Sequence, residues 1–160
     1  MKKETPIKKV ILLIVLIVFA IFFSLNSAYD SIEEKILDDI NIGSTIDDEM
    51  VVDLFIVDEY SEEFYVCVGE TSAKRICVLS IQYNPSGFMH GKKQGIFKDK
   101  LLNVPTRMLT VNKKKIVYGF TDKIDIPSIE INGTTVEVLI FSYPDNTKEK
   151  TIGFWYYVEE

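Results

Sequence analysis

His90 is the single histidine of this 160-residue chain, and it lies in the glycine-rich stretch SGFMHGKKQG, downstream of both cysteines, Cys67 and Cys77. General-base activation of a thiol or hydroxyl needs an imidazole beside it. A Cys–His or Ser–His enzyme built from this chain would therefore have to recruit His90. Carboxylates are the other groups with chemical potential, gathered as Asp47-Asp48-Glu49, Asp58-Glu59 and Glu62-Glu63. None of these clusters has the spacing or the glycine of a calcium loop. Paired carboxylates also serve glycosidases, but a domain this small rarely supplies the substrate cleft they need. Solvated turns are the expected role of all three. Two cysteines separated by nine residues, without further ligands at suitable spacing, do not make a zinc site. No cofactor motif is present.

The cysteines read more naturally as neighbours on paired strands. With Gly69 opposite Arg75, Cys67 stands across from Cys77 and Tyr65 across from Leu79, while Val66 and Phe64 oppose Val78 and Ser80 on the other face. Two readings stay open: a cross-strand disulfide, or two buried thiols on adjacent strands. His90 is expected on a surface loop. Sortases place histidine before cysteine in a Thr-Leu-x-Thr-Cys sequence; here the order is reversed and that sequence is absent.

Charge is unevenly spread. Residues 1–29 hold four lysines and one glutamate, net +3, and the remainder holds 14 basic and 23 acidic residues, net −9. So acidic a domain is a poor nucleic-acid binder, because phosphate recognition needs basic surface. Residues 30–63 carry 13 acids and Lys35, whereas residues 74–115 carry ten basic residues and Asp99. One reading is intramolecular, opposite charges meeting across neighbouring elements. The other is an exposed basic loop of Lys92, Lys93, Lys98, Lys100 and Arg107 that meets anionic lipid or a wall polyanion.

The elements that must position these residues begin with an apolar run, VILLIVLIVFAIFF, over residues 10–23, inside an uncharged stretch of residues 10–29. As a helix that stretch is about 30 Å long, the thickness of a bilayer core. Cleavage after Ala28 would place Asn26 at −3, a poor fit, so an uncleaved signal anchor is expected. Lys2, Lys3, Lys8 and Lys9 precede the run and acids follow it. The positive-inside rule then predicts residues 1–9 in the cytoplasm, a single membrane pass over 10–29, and an extracytoplasmic domain over 30–160. Ser31-Ile32-Glu33-Glu34 has capping-box spacing, and Ile32, Ile36 and Ile40 predict a short amphipathic helix ended by Gly43.

Beyond residue 51 the pattern changes to strands and turns. Strands are expected at 51–57, 64–68, 76–82, 108–111, 116–120 and 151–158, with 83–107 mostly loop and a short strand near Gly95. Asn132-Gly133 between alternating apolar residues predicts a type I′ hairpin pairing Ile131 with Thr134 and Ile129 with Val136. The fold expected is α+β, mostly antiparallel β, as an open sheet or small sandwich, with Phe154-Trp155-Tyr156-Tyr157 supplying much of the core.

The anchor, the short helix and the stretches KKIVYGFTDKIDIPSIEINGTTVEV and GFWYYVEE resemble a group of small, signal-anchored extracytoplasmic proteins of Gram-positive bacteria. The resemblance implies a plasma-membrane, cell-envelope location and a β-rich fold, and it implies no catalytic residue. The function expected is an interaction or sensor module outside the membrane, an accessory or immunity-type protein without enzymatic activity, partnered by a membrane or envelope protein or anionic lipid. The alternative is a cell-envelope hydrolase or transferase using His90 with Cys67 or Cys77, and a third is a spacer between bilayer and wall.

Overall fold

A computed structural model describes residues 11, 14–18, 29, 31–42, 49–103 and 106–159. The N-terminal lysines, most of the apolar run, Gly43, Asp47 and Asp48 lie outside these residues. Residues 14–18 are helical, and among the described residues no helix is long and apolar enough to cross a membrane. The chain divides into two compact units, Met1–Ile36 and Leu37–Glu160.

Helix α1 (Ile32–Asn41) starts as its capping residues predict, the Glu34 amide donating to Ser31 Oγ at 3.2 Å. Its last residue supplies a clamp. The Asn41 side chain donates to the Val51 carbonyl at 2.8 Å and accepts from the Val51 amide at 3.0 Å. A side-chain amide thus imitates a strand partner at the start of β1 (Val51–Ser61).

Two antiparallel sheets follow. Strands β1, β2 (Phe64–Thr71), β3 (Ile76–Tyr83) and β4 (Met89–Ile96) form a four-stranded meander in sequence order. The second sheet contains β5 (Arg107–Val111), β6 (Lys114–Thr121), β7 (Ser128–Ile131), β8 (Thr134–Asp145) and β9 (Lys148–Glu159), in the order β5-β6-β9-β8-β7. The Asn132-Gly133 hairpin has the expected pairs and positive φ at both turn residues, 50° and 81°. Asn112-Lys113 makes a second two-residue turn of the same kind, with φ of 46° and 71°. Both hands match the twist of the strands they join.

The stretch expected to be mostly loop contains β4. Its residues, MHGKKQGI, carry two glycines and little apolar alternation because it is an edge strand with one neighbour, so its pairing with β3 leaves no periodic signature. Similarly β1 runs through Asp58, Glu59 and Tyr60, where a polar turn was expected, and the chain reverses at Glu62-Glu63.

The β2–β3 register differs from the expected one by two residues: Cys67 pairs with Leu79, and Gly69 with Cys77. The cause is the turn. Thr71 donates its amide to Arg75 O and Lys74 takes φ 60°, so the loop closes over Ser72, Ala73 and Lys74 alone. Because the shift is even, every side chain keeps its predicted face. The thiols become diagonal neighbours, about 7–8 Å apart by Cα in such pairs and beyond disulfide reach. Neither cysteine is in a disulfide, and both are buried.

Phe64, Val66, Val68, Ile76 and Val78 of the first sheet share one core with Ile116, Tyr118, Phe120, Phe141, Tyr143, Ile152 and Phe154 of the second. Tyr118 Oη donates to Gln94 Oε1 at 2.7 Å, joining β6 to β4 across that core. The opposite face of the first sheet holds Cys67, Cys77, Leu79 and Ile81, all fully buried. Small residues there permit close approach: a Cβ added at Gly91 would lie 3.1 Å from Ile40 Cδ1.

Gly69 is tighter still, since a Cβ there would meet the Asp53 carbonyl oxygen at 2.2 Å and Leu54 Cδ2 at 2.9 Å. A backbone atom cannot step aside as a flexible side chain can. Gly69→Ala should therefore destabilise by about 2–3 kcal/mol in urea unfolding. At Gly95 the nearest atom would be 3.5 Å away, and Gly95→Ala should stay within about 1 kcal/mol of the parent. Equal costs at the two positions would show that the β1–β2 approach is not the constraint.

Candidate functional site

His90 sits exposed on β4, paired with Gln82. Gln94 and Ile96 face the shared core, whereas the Cβ positions of Gly91 and Gly95 face Ile40 and Glu49. Alternation places His90 on the Gln94 side and the thiols on the other face. Cys77 pairs with Gly95, five residues along β4 from His90, roughly 17 Å at about 3.3 Å per residue. The structure does not bring His90 and either thiol together. Burial also pushes the Cys77 thiol up to about 12, with Lys93 opposing the shift only in part. A thiol so held is a poor nucleophile near neutrality.

The five basic residues do not form one exposed loop either. Lys92 is exposed on β4; Lys93 reaches the Glu49 carbonyl from the opposite face of the same strand. Lys98, at the head of a short 3-10 turn (Lys98–Lys100), pairs with Glu70 Oε1 at 2.7 Å and also donates to the Pro144 carbonyl. Its side chain is 16% exposed and that of Glu70 only 6%. Lys100 lies over the Phe97 ring, and Arg107, on β5, donates to the Leu101 and Lys100 carbonyls. Arg75 meets Glu49 at 3.0 Å. The intramolecular use of charge accounts for Arg75, Lys93 and Lys98.

A different set of residues lines a groove. The inner-face positions of β1, β8 and β9 continue past the packed core at one end of the two sheets, and there they turn polar. Asp58 and Tyr60 come from β1, Thr135, Glu137 and Leu139 from β8, and Tyr156 and Val158 from β9; with Thr134, Val136 and Tyr157 they line an open groove of about 270 Å³. Tyr156 Oη donates to Asp58 Oδ2 at 2.6 Å. Burial, followed by the neighbouring Asp58 carboxylate, raises the Tyr156 pKa above the usual phenol range. The phenol thus stays protonated and serves as the donor. Tyr60 meets Tyr156 edge-on at 6.4 Å and Phe64 at 6.0 Å, fixing one wall on the aromatic core.

Sequence reasoning assigned Asp58 to a solvated turn and Tyr156 to the core, and passed over Glu137. One signal was legible: alternation in TTVEVLIF places Thr135, Glu137 and Leu139 on one face. What it lacks is the strand opposite.

The site residues make two tests available. Lys98→Met should cost about 3 kcal/mol, because it leaves Glu70 buried with only the exposed Lys74, 3.6 Å away; Lys92→Gln should cost under about 0.5 kcal/mol. Similar small losses for both would mean that the Lys98–Glu70 pair is not buried in solution. Both thiols should resist a disulfide reagent at neutral pH in the native protein and react once it is unfolded. Because the folded Cys77 value lies above its ordinary 9.0, at about 12, its contribution to stability is complete below pH 9 and is lost as pH rises toward 12. Cys77→Ala should flatten that decline, and an unchanged slope would remove Cys77 as its source.

Comparison of the chain with protein-family models, curated proteins and solved structures found no match.

Proposed function

We propose that this chain is a non-enzymatic binding module, held at the outer face of the plasma membrane by the apolar segment at residues 10–29 and engaging its partner at the groove between β1 and β8–β9. The observation that carries the reading is the composition of that groove. Carboxylate, hydroxyl and aromatic groups line it, and no histidine, thiol or lysine is among its lining residues. Such walls bind and orient, and they hold no imidazole, thiol or amine of the kind the hydrolase alternative requires. The hydrolase alternative has less support, since His90 and the thiols lie on opposite faces of β4 and β3.

The uncharged 20-residue stretch is long enough to span a bilayer, and the lysines before it set the direction. The resemblance to small signal-anchored proteins of Gram-positive bacteria agrees with this location. In this reading the partner is another membrane or envelope protein, and the module is an accessory or immunity-type component.

Protease added to intact protoplasts should digest residues 30–160 and spare a cytoplasmic reporter. Protection of that portion would overturn the topology. A photo-crosslinker at Thr135 should capture an envelope partner that one at exposed Lys123 does not, and capture should fall in Asp58→Asn. Equal capture from both positions would move the binding surface elsewhere.

A further inference from the structure

We propose that the groove accepts an alkylammonium group, either from the lysine side chain of a partner or from a small free amine. The inference rests on the groove being the binding site and names the chemistry of its ligand. Three features of the walls point the same way. The first is sign: Asp58 and Glu137 are the charged residues that line the groove, and no lysine, arginine or histidine lines it. A carboxylate or phosphate ligand would meet like charge in a partly desolvated site, whereas an ammonium gains in both contacts. Asp58 accepts from Tyr156 through Oδ2, which leaves Oδ1 for an ammonium proton.

The second feature is aromatic. Tyr156 stacks one face on Phe154 and lines the groove beside Asp58, and an aromatic face carries the negative pole of the ring quadrupole toward any cation within about 6 Å. The chain already uses this chemistry on itself. Lys114 Nζ lies 4.5 Å from the Phe64 ring centroid and 5.7 Å from that of Tyr60, and Lys98 Nζ lies 5.4 Å from that of Tyr143. Lys114 is thus the cation on Tyr60, and the pairing of ring and acid left for a ligand is that of Tyr156 with Asp58, no lysine or arginine being among the lining residues.

The third feature is shape. About 270 Å³ of open groove suits a side chain better than a folded surface, and Leu139 and Val158 offer an apolar wall to a methylene stem. An alkylammonium has both parts: a stem that gains by leaving water and a charge that stays hydrated on the open side.

The test uses the full chain in uncharged maltoside micelles, followed by NMR as N-acetyl-lysine amide is added. Saturable shifts at Thr134, Thr135 and Tyr156 are expected, with the neutral isostere N-acetyl-norleucine amide at least about tenfold weaker. Asp58→Asn keeps an acceptor for Tyr156 and removes the charge; together with Glu137→Gln it should weaken binding about tenfold with the fold's spectrum otherwise intact. A peptide with a central lysine distinguishes the sources. Binding about tenfold tighter than the free amide identifies a partner's lysine, and equal binding identifies a small amine. The proposal is overturned by equal affinity for lysine and norleucine amides, by shifts away from the groove, or by no saturable shift up to about 50 mM. None of those outcomes touches the protoplast result, so loss of the ligand class and loss of the anchored-module reading remain distinguishable.

Discussion

The packing of one phenylalanine, Phe154, is what the rest of the domain depends on. It sits fully buried on β9, the central strand of the second sheet, with ring centroids 5.5 Å from Phe120, 5.9 Å from Tyr156 and 6.0 Å from Tyr118. Phe120 then meets Phe141 at 6.3 Å, and Phe141 stacks on Phe55 of the first sheet at 5.7 Å. Rings of this size bury more apolar area per residue than any other side chain, and their tilted and edge-on contacts fix the relative positions of the strands that carry them. The consecutive aromatics of β9 divide by alternation. Phe154 and Tyr156 enter the shared core, while Trp155 joins Val117 and Val136 in a second cluster on the outer face.

The groove is a consequence of the same alternation. Inward positions on β8 and β9 are apolar at Phe141 and Phe154, and further along the same faces Glu137, Thr135 and Tyr156 line the groove with Asp58 and Tyr60 of β1. Tyr156 sits at the change. Its ring stacks on Phe154 and its hydroxyl reaches Asp58, so one side chain spans from dry core to polar groove. The half-buried phenol gains a partner in the Asp58 carboxylate at 2.6 Å.

Charge is spent mainly on holding connections in place. Glu49 binds Arg75 and the Thr71 hydroxyl, and Glu70 binds Lys98, which also reaches the Pro144 carbonyl. The first contacts tie the segment before β1 to the β2–β3 turn. The second ties the exit from β4 to β2 and β8. These ionic hydrogen bonds are why Arg75 and Lys98, in the strongly basic middle of the chain, are not part of a free basic surface.

Local signals in the sequence determined a good deal: the mostly antiparallel β class, the capped helix at Ser31, the Asn132-Gly133 hairpin and its register, and the face of every side chain on β2 and β3. These depend on short-range rules, namely turn positions that require positive φ and an alternation of period two, so each can be read within a few residues. The tertiary structure decided what depends on partners distant in the chain. The β2–β3 register follows from a three-residue turn centred on Ala73, a position with no sequence signature, and the resulting two-residue shift separated the thiols without changing their face. Strand β4 has little apolar pattern because its pairing with β3 and the approach of Ile40 and Glu49 stabilise it instead. Lys98 looked like a surface lysine until Glu70, 28 positions away, was placed beside it. Asp58 and Tyr156 are 98 residues apart, and only the stacking of two sheets makes them neighbours, since a hydrogen bond between side chains on different sheets leaves no trace in either strand's own periodicity.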